Sequence, residues 1–310
     1  MMIKLAFIGT NEGNGHIFSW SAIINGRYDP ELMKRCGYPV IYDYLSSQPQ
    51  ANLGIPDARV THVWTHDKKF SEFVAKTCFI ENIMNSPEEA VGKVDAVIIT
   101  TDIASQHIIL AKPFIEKNIP VFIDKPLTDN EKDLKEFYRW HMEGRPFMSC
   151  SSVRYAKEID PCEIMNAGRL LFISGIMSKT WERYGVHAVE GLYTIAGGNI
   201  KSVQNLGEYD INLVLVEFWS GLRALLQVIY NSNIFVRYDI FGEKKTLTIE
   251  TRDYFHMFKR QLEKFLDFVR TGKLPFQFSQ TIEIIKVVIA GIKSRNEKRK
   301  VFLEEICLEE

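Results

Sequence analysis

The segments VDAVIITT (residues 94–101) and IPVFIDKPL (residues 119–127) decide which fold this sequence predicts. Each is a short apolar run bounded by polar or turn-forming residues, which is typical of a buried β-strand. Apolar residues at helical spacing, from Ile108 to Phe114, lie between them. A strand, a helix and a second strand in this order predict a right-handed βαβ unit and therefore a parallel sheet.

The same alternation extends toward the N-terminus. Residues 3–8 predict a strand that ends at Gly9, and residues 59–64 predict another one. We therefore expect an α/β fold in which residues 1–149 form a dinucleotide-binding Rossmann domain with a doubly wound parallel sheet. Residues 25–58 are rich in glycine and proline, and we expect an irregular insertion there that folds over the mouth of the site and takes part in substrate choice.

The pattern changes after about Cys150. Short strands joined by tight turns are predicted at residues 170–176, 201–206, 211–219, 222–230, 236–241 and 247–250. Two helices close the chain, and we expect Ser279 to be the N-cap of the second. Residues 150–310 are therefore predicted to form a substrate-binding α+β domain with a large, mostly antiparallel open sheet. The uncovered face of this sheet predicts a homo-dimer or homo-tetramer.

Composition and charge exclude several classes of protein. The chain of 310 residues is 46% hydrophobic and 25% charged, as globular proteins are. Its 38 basic and 39 acidic residues give a net charge of −1, without the basic excess that nucleic-acid or membrane-surface binding requires. Five cysteines without a C-x-x-C pair, and no signal-peptide pattern, lead us to expect a cytoplasmic protein without disulfides. A small-molecule substrate is the remaining expectation.

A glycine-containing loop follows the first predicted strand. Its glycines are spaced four and two apart, whereas the dinucleotide fingerprint G-x-G-x-x-G is spaced two and three. We still favour a pyrophosphate site over a simple turn, because backbone N–H groups at a helix N-terminus bind anions. The expected contacts are Gly9, Thr10, Gly13, Gly15 and His16.

The ends of the later strands carry further candidates, since ligands of such sheets bind at the carboxyl ends of the strands. An acidic residue after the second strand would bind the ribose of NAD, but Thr65 and His66 stand there. NAD and NADP therefore both remain open as the cofactor. The other expected contacts are Thr100, Thr101 and Asp124. No metal site is expected, because the sequence has no H-E-x-x-H pattern.

Lys125 is the most informative single residue. It follows a predicted buried strand directly and is held before Pro126. A lysine in this position would lie beside a nicotinamide ring and could take part in proton transfer. The alternative is a surface lysine in a turn.

Three groups of residues resemble the glucose–fructose oxidoreductase/inositol dehydrogenase/rhizopine catabolism (Gfo/Idh/MocA) family of NAD(P)-dependent oxidoreductases. Residues 94–127, with His107, are similar to its Asp-Ala-Val … His … Glu-Lys-Pro-Leu run. YGVHAVE at residues 184–190 is similar to its catalytic segment Asp-x-Gly-x-His-x-x-Asp. FLDFVRTGKLP at residues 265–275 is similar to its C-terminal signature.

The resemblance implies hydride transfer at the hydroxyl-bearing carbon of a sugar, an inositol or a related polyol. It implies that Lys125 holds the substrate hydroxyl and the nicotinamide ribose, that His187 is the acid or base, and that His107 lies near the cofactor. It also implies oligomerisation through the open sheet of the second domain.

The departures from the family pattern leave several alternatives open. Arg183 stands where the family has an aspartate before the histidine, so Glu182 or Glu190 takes that place, the base is tuned differently, or oxidation chemistry is lost. Arg183 could also bind an anionic substrate such as a sugar acid or a phosphate. Candidate residues of the substrate wall, each with packing as its alternative, are Arg154, Tyr155, Trp181, Arg183 and Tyr184.

Two other functions fit the same residues. One is a non-catalytic, dinucleotide-binding regulator built on this fold. The other is an enzyme that cleaves glycosides and uses a tightly held NAD for a transient oxidation.

Overall fold

The computed structural model describes residues 2–308, so the predicted domain ends at residues 1 and 310 lie outside the described part of the chain. The chain divides into two compact units. Unit 1 consists of Met1–Asp124, Arg139–Ser149 and Phe258–Pro275, and unit 2 consists of Lys125–Tyr138, Cys150–Met257 and Phe276–Glu310. The sequence predicts a single boundary after residue 149. In the structure, residues 125–138 belong to unit 2 and residues 258–275 belong to unit 1.

Unit 1 contains a parallel sheet of six strands. The strands are β1 (Ile3–Ile8), β2 (Ala58–Trp64), β3 (Asn82–Ile83), β4 (Ala96–Ile99), β5 (Val121–Ile123) and β6 (Phe147–Met148). Their order is β3-β2-β1-β4-β5-β6, which is the doubly wound order expected for a Rossmann fold. The central strands are buried on both faces, because their apolar runs are covered by helices on each side.

Five helices lie wholly within unit 1, and two more run across its limits along the chain. The five are α1 (His16–Asn25), α2 (Pro30–Lys34), α3 (Pro39–Ser46), α4 (Lys68–Cys78) and α5 (Ala104–Ile115). The other two are α6 (Glu131–Met142) and α9 (Tyr254–Thr271). Phe265 of α9 packs against Phe122 of β5, with ring centroids 5.6 Å apart, so this part of α9 belongs to the core of unit 1.

The insertion at residues 25–58 is helical over much of its length, and the expectation of an irregular segment is wrong. It forms α2, α3 and a short 3-10 turn at Gln50–Asn52. Pro30 and Pro39 each stand at the start of a helix, where a proline lacks only an N–H group that has no partner within the helix. The Asp29 carboxylate caps α2 by accepting from two backbone N–H groups at 2.9 Å.

Unit 2 contains a sheet of seven strands in the order β12-β11-β7-β10-β9-β8-β13. The strands are β7 (Leu170–Ser178), β8 (Ile200–Asn205), β9 (Ile211–Phe218), β10 (Arg223–Ile229), β11 (Val236–Gly242), β12 (Thr246–Glu250) and β13 (Val301–Phe302). Among the described residues, β7 and β10 form the one parallel pair of this sheet, so the predicted mostly antiparallel sheet is confirmed.

The helices within unit 2 are α7 (Pro161–Asn166), α8 (Trp181–Ala196) and α10 (Phe278–Glu297). Of these, α8 and α10 pack on the sheet. The N-cap of α10 is Gln277 rather than Ser279, because the helix begins one residue before that serine. Tyr238 of β11 donates its hydroxyl hydrogen to the Ala188 carbonyl oxygen at 2.6 Å and so ties the sheet to α8.

All five cysteines are free thiols. Among residues 2–308, none of the helices combines the length and the apolar character needed to cross a membrane.

Candidate active site

The glycine loop of unit 1 joins β1 to α1. Gly9 and Gly13 have φ angles of +84° and +80°, in the left-handed region that favours glycine. A Cβ atom on Gly9 would lie 3.3 Å from Cγ2 of Thr101, and Thr100 donates its hydroxyl hydrogen to the Gly9 carbonyl oxygen at 2.6 Å. Gly9 therefore lets the end of β1 approach the end of β4 closely.

Gly15 has a different reason for being glycine. A Cβ atom there would lie 2.5 Å from Cδ1 of Ile41 and 2.8 Å from the ring of Tyr38, both in or next to α3. Burial raises the pKa of the Tyr38 phenol, although a backbone hydrogen bond from Gly13 opposes the rise. The insertion thus lies directly on the glycine loop at Gly15.

Asn11 connects the loop to the end of β4. Its Nδ2 donates to Oδ1 of Asp102 at 2.7 Å, while its Oδ1 accepts from the Thr101 hydroxyl and the Asp102 N–H, both at 2.9 Å. His107 is fully buried, and its Nε2 lies 2.9 Å from the Thr101 carbonyl oxygen. The predicted contacts Thr101 and His107 therefore belong to one network, in which Asn11 and Asp102 were missed by the sequence analysis.

Asp124 ends β5 and is completely buried. Its Oδ2 accepts from Nδ2 of Asn14 at 2.8 Å and lies 2.7 Å from Nδ1 of His16. His16 stacks on Trp20 with a centroid distance of 4.2 Å. The loop residues and Asp124 are thus held together, directly before Lys125 in the chain. Thr10 lies half-buried in the same loop.

In the turn after β2, one carboxylate oxygen of the exposed Asp67 caps a helix. Thr65 is buried, and its hydroxyl donates to the Asp67 carbonyl oxygen at 2.7 Å. The Asp67 carboxylate caps α4 by accepting from the Lys69 N–H at 2.9 Å. His66 is exposed and lies against Trp64, with centroids 4.7 Å apart. Thr65 therefore stabilises the turn, and His66 is the predicted cofactor contact that is exposed here.

In unit 2, Lys125 lies against Tyr184. Lys125 is only 2% exposed, and its Nζ is 4.7 Å from the centroid of the Tyr184 ring. Lys179 approaches the same ring, with its Nζ 4.2 Å from the centroid, and it donates to the Tyr184 hydroxyl oxygen at 2.6 Å. Lys179 has a φ angle of +70°, which is strained for a residue other than glycine and is common near functional sites.

His187 lies one helical turn after Tyr184 on the same face of α8. It is 3% exposed, and its ring centroid is 5.1 Å from that of Tyr184 and 5.3 Å from that of Phe235. Its Nδ1 lies 2.6 Å from Oγ of Ser151. The structure thus brings Lys125, Tyr184 and His187 together and adds Lys179 and Ser151, which the sequence analysis had not named.

The two glutamates proposed as partners of His187 are each held by an arginine. Glu190 is buried and forms an ion pair with Arg154, and Glu182 forms one with Arg295. Burial opposes the charge of Arg154, but nearby groups, led by the Glu190 carboxylate, together outweigh burial and raise the pKa of the guanidinium. The Ser151 hydroxyl is the group in hydrogen-bond contact with Nδ1 of His187.

The remaining predicted substrate residues differ in their surroundings. Trp181 is fully buried, donates from Nε1 to the Val288 carbonyl oxygen at 2.9 Å and packs on Gly185, so it is a core residue and not part of a substrate wall. Burial strongly raises the pKa of the Tyr155 phenol, which keeps that group neutral. Arg183 is half-buried and lies four residues before His187 on α8.

Within residues 2–308, no group of three or more His, Cys, Asp or Glu side chains could hold a metal ion.

Residues 36–143 match the model of the Gfo/Idh/MocA oxidoreductase family, which is described by its NAD-binding Rossmann fold. The resemblance of residues 94–127 is thereby confirmed, whereas residues 184–190 and 265–275 lie outside the matched segment. The matched segment includes Lys125 but begins after the glycine loop, whose spacing departs from the fingerprint. No curated protein sequence matches the chain significantly.

Several solved structures share the whole fold. A putative myo-inositol dehydrogenase from Sinorhizobium meliloti has a TM-score of 0.75 at 14% identity, covering 97% of this chain and 100% of that one. An apo scyllo-inositol dehydrogenase from Lactobacillus casei has a TM-score of 0.74 at 13% identity, covering 98% of each chain. An oxidoreductase from Agrobacterium radiobacter, in complex with NAD+, L-tartaric acid and magnesium, has a TM-score of 0.75 at 14% identity, covering 99% and 100%.

Proposed function

We propose that the protein transfers a hydride between the nicotinamide of NAD or NADP and the hydroxyl-bearing or carbonyl carbon of a sugar, an inositol or a related polyol. The observation that carries this proposal is the cluster of Lys125, Tyr184 and His187 in unit 2. A buried ammonium, a phenol and an imidazole within reach of one another are the groups that bind and polarise a substrate oxygen. The match of residues 36–143 to an NAD-binding oxidoreductase family supports the proposal.

The residues of unit 1 fit a dinucleotide. Gly9 and Gly13 shape a turn that leads into the N-terminus of α1, and N–H groups at such a terminus favour a pyrophosphate. When bound, the nicotinamide ring supplies the site that accepts or gives the hydride. The buried network of Asn14, His16 and Asp124 fixes the end of β5, from which Lys125 continues.

In unit 2, each residue has a distinct proposed role. The Lys125 ammonium donates a hydrogen bond to the reacting oxygen of the substrate and stabilises negative charge that develops there. The Tyr184 ring forms a wall of the site, and its hydroxyl is oriented by Lys179. His187 faces the same oxygen and acts in proton transfer at neutral pH, where imidazole titrates.

The substrate class is supported by proteins that share the fold. Two of them are named as inositol dehydrogenases, and a third was crystallised with L-tartaric acid, a hydroxy acid. Both inositol and tartaric acid carry hydroxyl groups on secondary carbons, which is the chemistry that the Lys125 cluster would recognise.

The proposed cofactor preference is weak. Discrimination against NADP relies on a carboxylate that binds the ribose hydroxyl and repels the 2′-phosphate. Here the Asp67 carboxylate is used to cap α4, and the exposed His66 is the neighbouring group. We therefore expect NADH and NADPH to bind with dissociation constants within about tenfold of each other, a difference of about 1.4 kcal/mol or less.

A fluorescence titration with NADH and NADPH tests the first step, and a panel of myo-inositol, scyllo-inositol, D-glucose and D-gluconate with the oxidised cofactors tests the second. Reduction of the cofactor by a polyol is the expected result. Absence of binding to either nucleotide would overturn the proposal. Binding without hydride transfer would favour a regulator, and sugar release from glycosides without net NADH would favour transient oxidation.

Lys125→Ala and His187→Ala test the roles of the two residues. We expect each to lower kcat/KM for a substrate found in the panel by about 10²–10⁴-fold, the usual contribution of a positioned proton-transfer group. Lys112→Ala, which removes an exposed lysine of α5, is the matched control and should leave turnover unchanged. Wild-type turnover in Lys125→Ala would contradict its assignment.

A further inference from the structure

We infer that Ser151 is a positioning residue for His187 and holds the neutral imidazole in the form that carries its hydrogen on Nε2. The two side chains lie far apart in sequence but meet at 2.6 Å, from Oγ of Ser151 to Nδ1 of His187. Both are buried, at 0% and 3% exposure. Neutral imidazole carries one hydrogen, on Nδ1 or on Nε2. If Ser151 donates to Nδ1, that hydrogen is on Nε2; if Ser151 accepts from Nδ1, Nε2 has none.

The hydrogen bonds of Ser151 determine that direction. Its Oγ accepts from the Val153 N–H at 3.1 Å, and a serine hydroxyl has a single hydrogen to donate. Among residues 2–308, the acceptor within reach of that hydrogen is Nδ1 of His187. Because a buried hydroxyl hydrogen without an acceptor is unfavourable, Ser151 donates to Nδ1, and neutral His187 carries its hydrogen on Nε2.

The backbone of Ser151 is held in place independently of His187. Its N–H donates to Oε2 of Glu190 at 3.2 Å, and Glu190 forms an ion pair with Arg154. Arg154 in turn donates to Oε1 of Gln280 at 2.8 Å. The negative charge nearest to Ser151 is therefore balanced by a guanidinium, and the serine reaches His187 through a neutral hydroxyl.

This arrangement changes what the imidazole offers to a substrate. A carboxylate on Nδ1 would accept a hydrogen from that nitrogen and leave Nε2 as a proton acceptor. Ser151 has the opposite effect, so that neutral His187 meets a substrate oxygen as a hydrogen-bond donor, and the ring takes part in proton transfer as the imidazolium, which gives its Nε2 proton to the oxygen and keeps a hydrogen on Nδ1. Such a donor stabilises the negative charge on a carbonyl oxygen as a hydride arrives. The tautomer is inferred from the hydrogen bonds of Ser151, whereas its catalytic meaning rests on the proposed function.

Nitrogen NMR on protein labelled with 15N-histidine tests the inference without any substrate. The chain has seven histidines, and the His187→Gln variant identifies the signals of His187. At about pH 8.5, roughly two units above the ordinary pKa of imidazole, we expect an unprotonated signal for Nδ1 and a protonated signal for Nε2. In Ser151→Ala this preference should weaken toward the mixture of tautomers that a histidine shows in water, with both signals shifted toward each other, and Ser151→Thr should restore the wild-type separation.

A protonated Nδ1 in the wild-type protein would overturn the inference, and so would an unchanged spectrum in Ser151→Ala. The wild-type measurement decides the question even where a variant does not fold. The result is also separable from the proposed function. Absence of NADH and NADPH binding would remove the proposed hydride transfer and leave the tautomer of His187 as measured.

Discussion

At the scale of single residues, Arg154 and Glu190 show how strongly the second unit depends on paired charges. Glu190 is 2% exposed, and the Arg154 side chain that pairs with it is 13% exposed. Removing one member of a buried pair leaves the other charge without compensation, which costs far more than losing an exposed pair. The pair also supports the backbone of Ser151, so its loss would reach the imidazole of His187.

We expect Arg154→Met to lower the free energy of unfolding by about 3–5 kcal/mol, because it leaves the Glu190 carboxylate buried and unpaired. The matched control is Arg169→Met, which removes an exposed pair with Glu243 in the same unit and should cost about 1 kcal/mol or less. Urea unfolding followed by circular dichroism measures both. Equal losses in the two variants would show that the Arg154 pair contributes no more than a surface pair.

His62 gives the stability a defined pH dependence. Its pKa in the folded protein is lowered by burial and by the nearby Lys93 and Lys4. Below about pH 6.5 the unfolded chain therefore binds a proton that the folded chain resists, and the free energy of unfolding falls as the pH falls.

The loss from His62 alone cannot exceed about 1.4 kcal/mol per pH unit. His62→Gln should flatten the profile below pH 6.5 and leave part of the slope, because burial also lowers the pKa of His141. Thermal unfolding between pH 5 and pH 8 measures this. Parallel profiles for wild type and variant would contradict it.

At the scale of elements, the packing of the insertion on the glycine loop can be measured through Gly15. Its φ angle of −102° is open to any residue, so replacement by alanine acts through the clash with Ile41 and Tyr38 and not through backbone strain. We expect Gly15→Ala to destabilise the protein by about 1–3 kcal/mol, the usual cost of overpacking.

Ile41→Val removes Cδ1, the atom nearest to the added methyl group, and should recover part of the loss in the double variant. A double-mutant cycle on free energies of unfolding would then show a favourable coupling between the two positions. Additive changes in the free energy of unfolding would mean that the insertion moves away from the glycine loop in the variants.

The elements also show where sequence reasoning succeeds. Buried strands such as β1 and β4 were predicted nearly to the residue, because a short apolar run has few other uses in a soluble chain. The insertion contains more helix than its content of glycine and proline indicates, because Pro30 and Pro39 stand in first turns, where proline is favoured.

Local sequence patterns predict only part of the candidate site. Lys125 and His187 stand in recognisable local patterns, whereas Ser151 reaches His187 across 36 positions of the chain. A contact of that kind depends on how segments far apart in the chain pack together, which no local sequence pattern encodes. The role of Asn11 in joining two strand ends was hidden in the same way, since Asp102 lies 91 positions away.

At the scale of the whole molecule, the seven-stranded sheet has one face covered by helices and one half-exposed face. Along β9 and β10, residues alternate between buried and partly exposed, and Leu215 pairs with Leu225 on the less covered side. Half-exposed leucines on adjacent strands are unusual for a solvated surface. We propose that this face joins copies of the chain into a dimer or tetramer.

Leu225→Glu tests the proposed assembly, because a carboxylate there would be buried between copies without a partner. We expect light scattering coupled to size-exclusion chromatography to show a multiple of the monomer mass for wild type and a smaller mass for the variant. Ile109→Glu alters an isoleucine of α5 that is 73% exposed and should keep the wild-type mass. A monomeric wild-type protein would contradict the proposal.

The division of the chain into units was harder to predict than either fold. The apolar spacing of α9 indicates an amphipathic helix, but such a pattern does not state which sheet the helix covers. The contact between Phe265 and Phe122 assigns the later part of α9 to the core of unit 1. Long-range packing of this kind, and not helix propensity, sets the limits of the units.

The position of Gly15 under Tyr38 and Ile41 has a practical consequence for protein engineering. A conventional G-x-G-x-x-G loop grafted into this chain would meet the insertion, because the loop and α3 are shaped to each other. Transplanting the loop alone would therefore fail in either direction between this chain and a standard Rossmann protein. The smallest exchangeable cassette runs from Gly9 through the end of α3, and chimeras designed to alter cofactor preference should move that whole segment together.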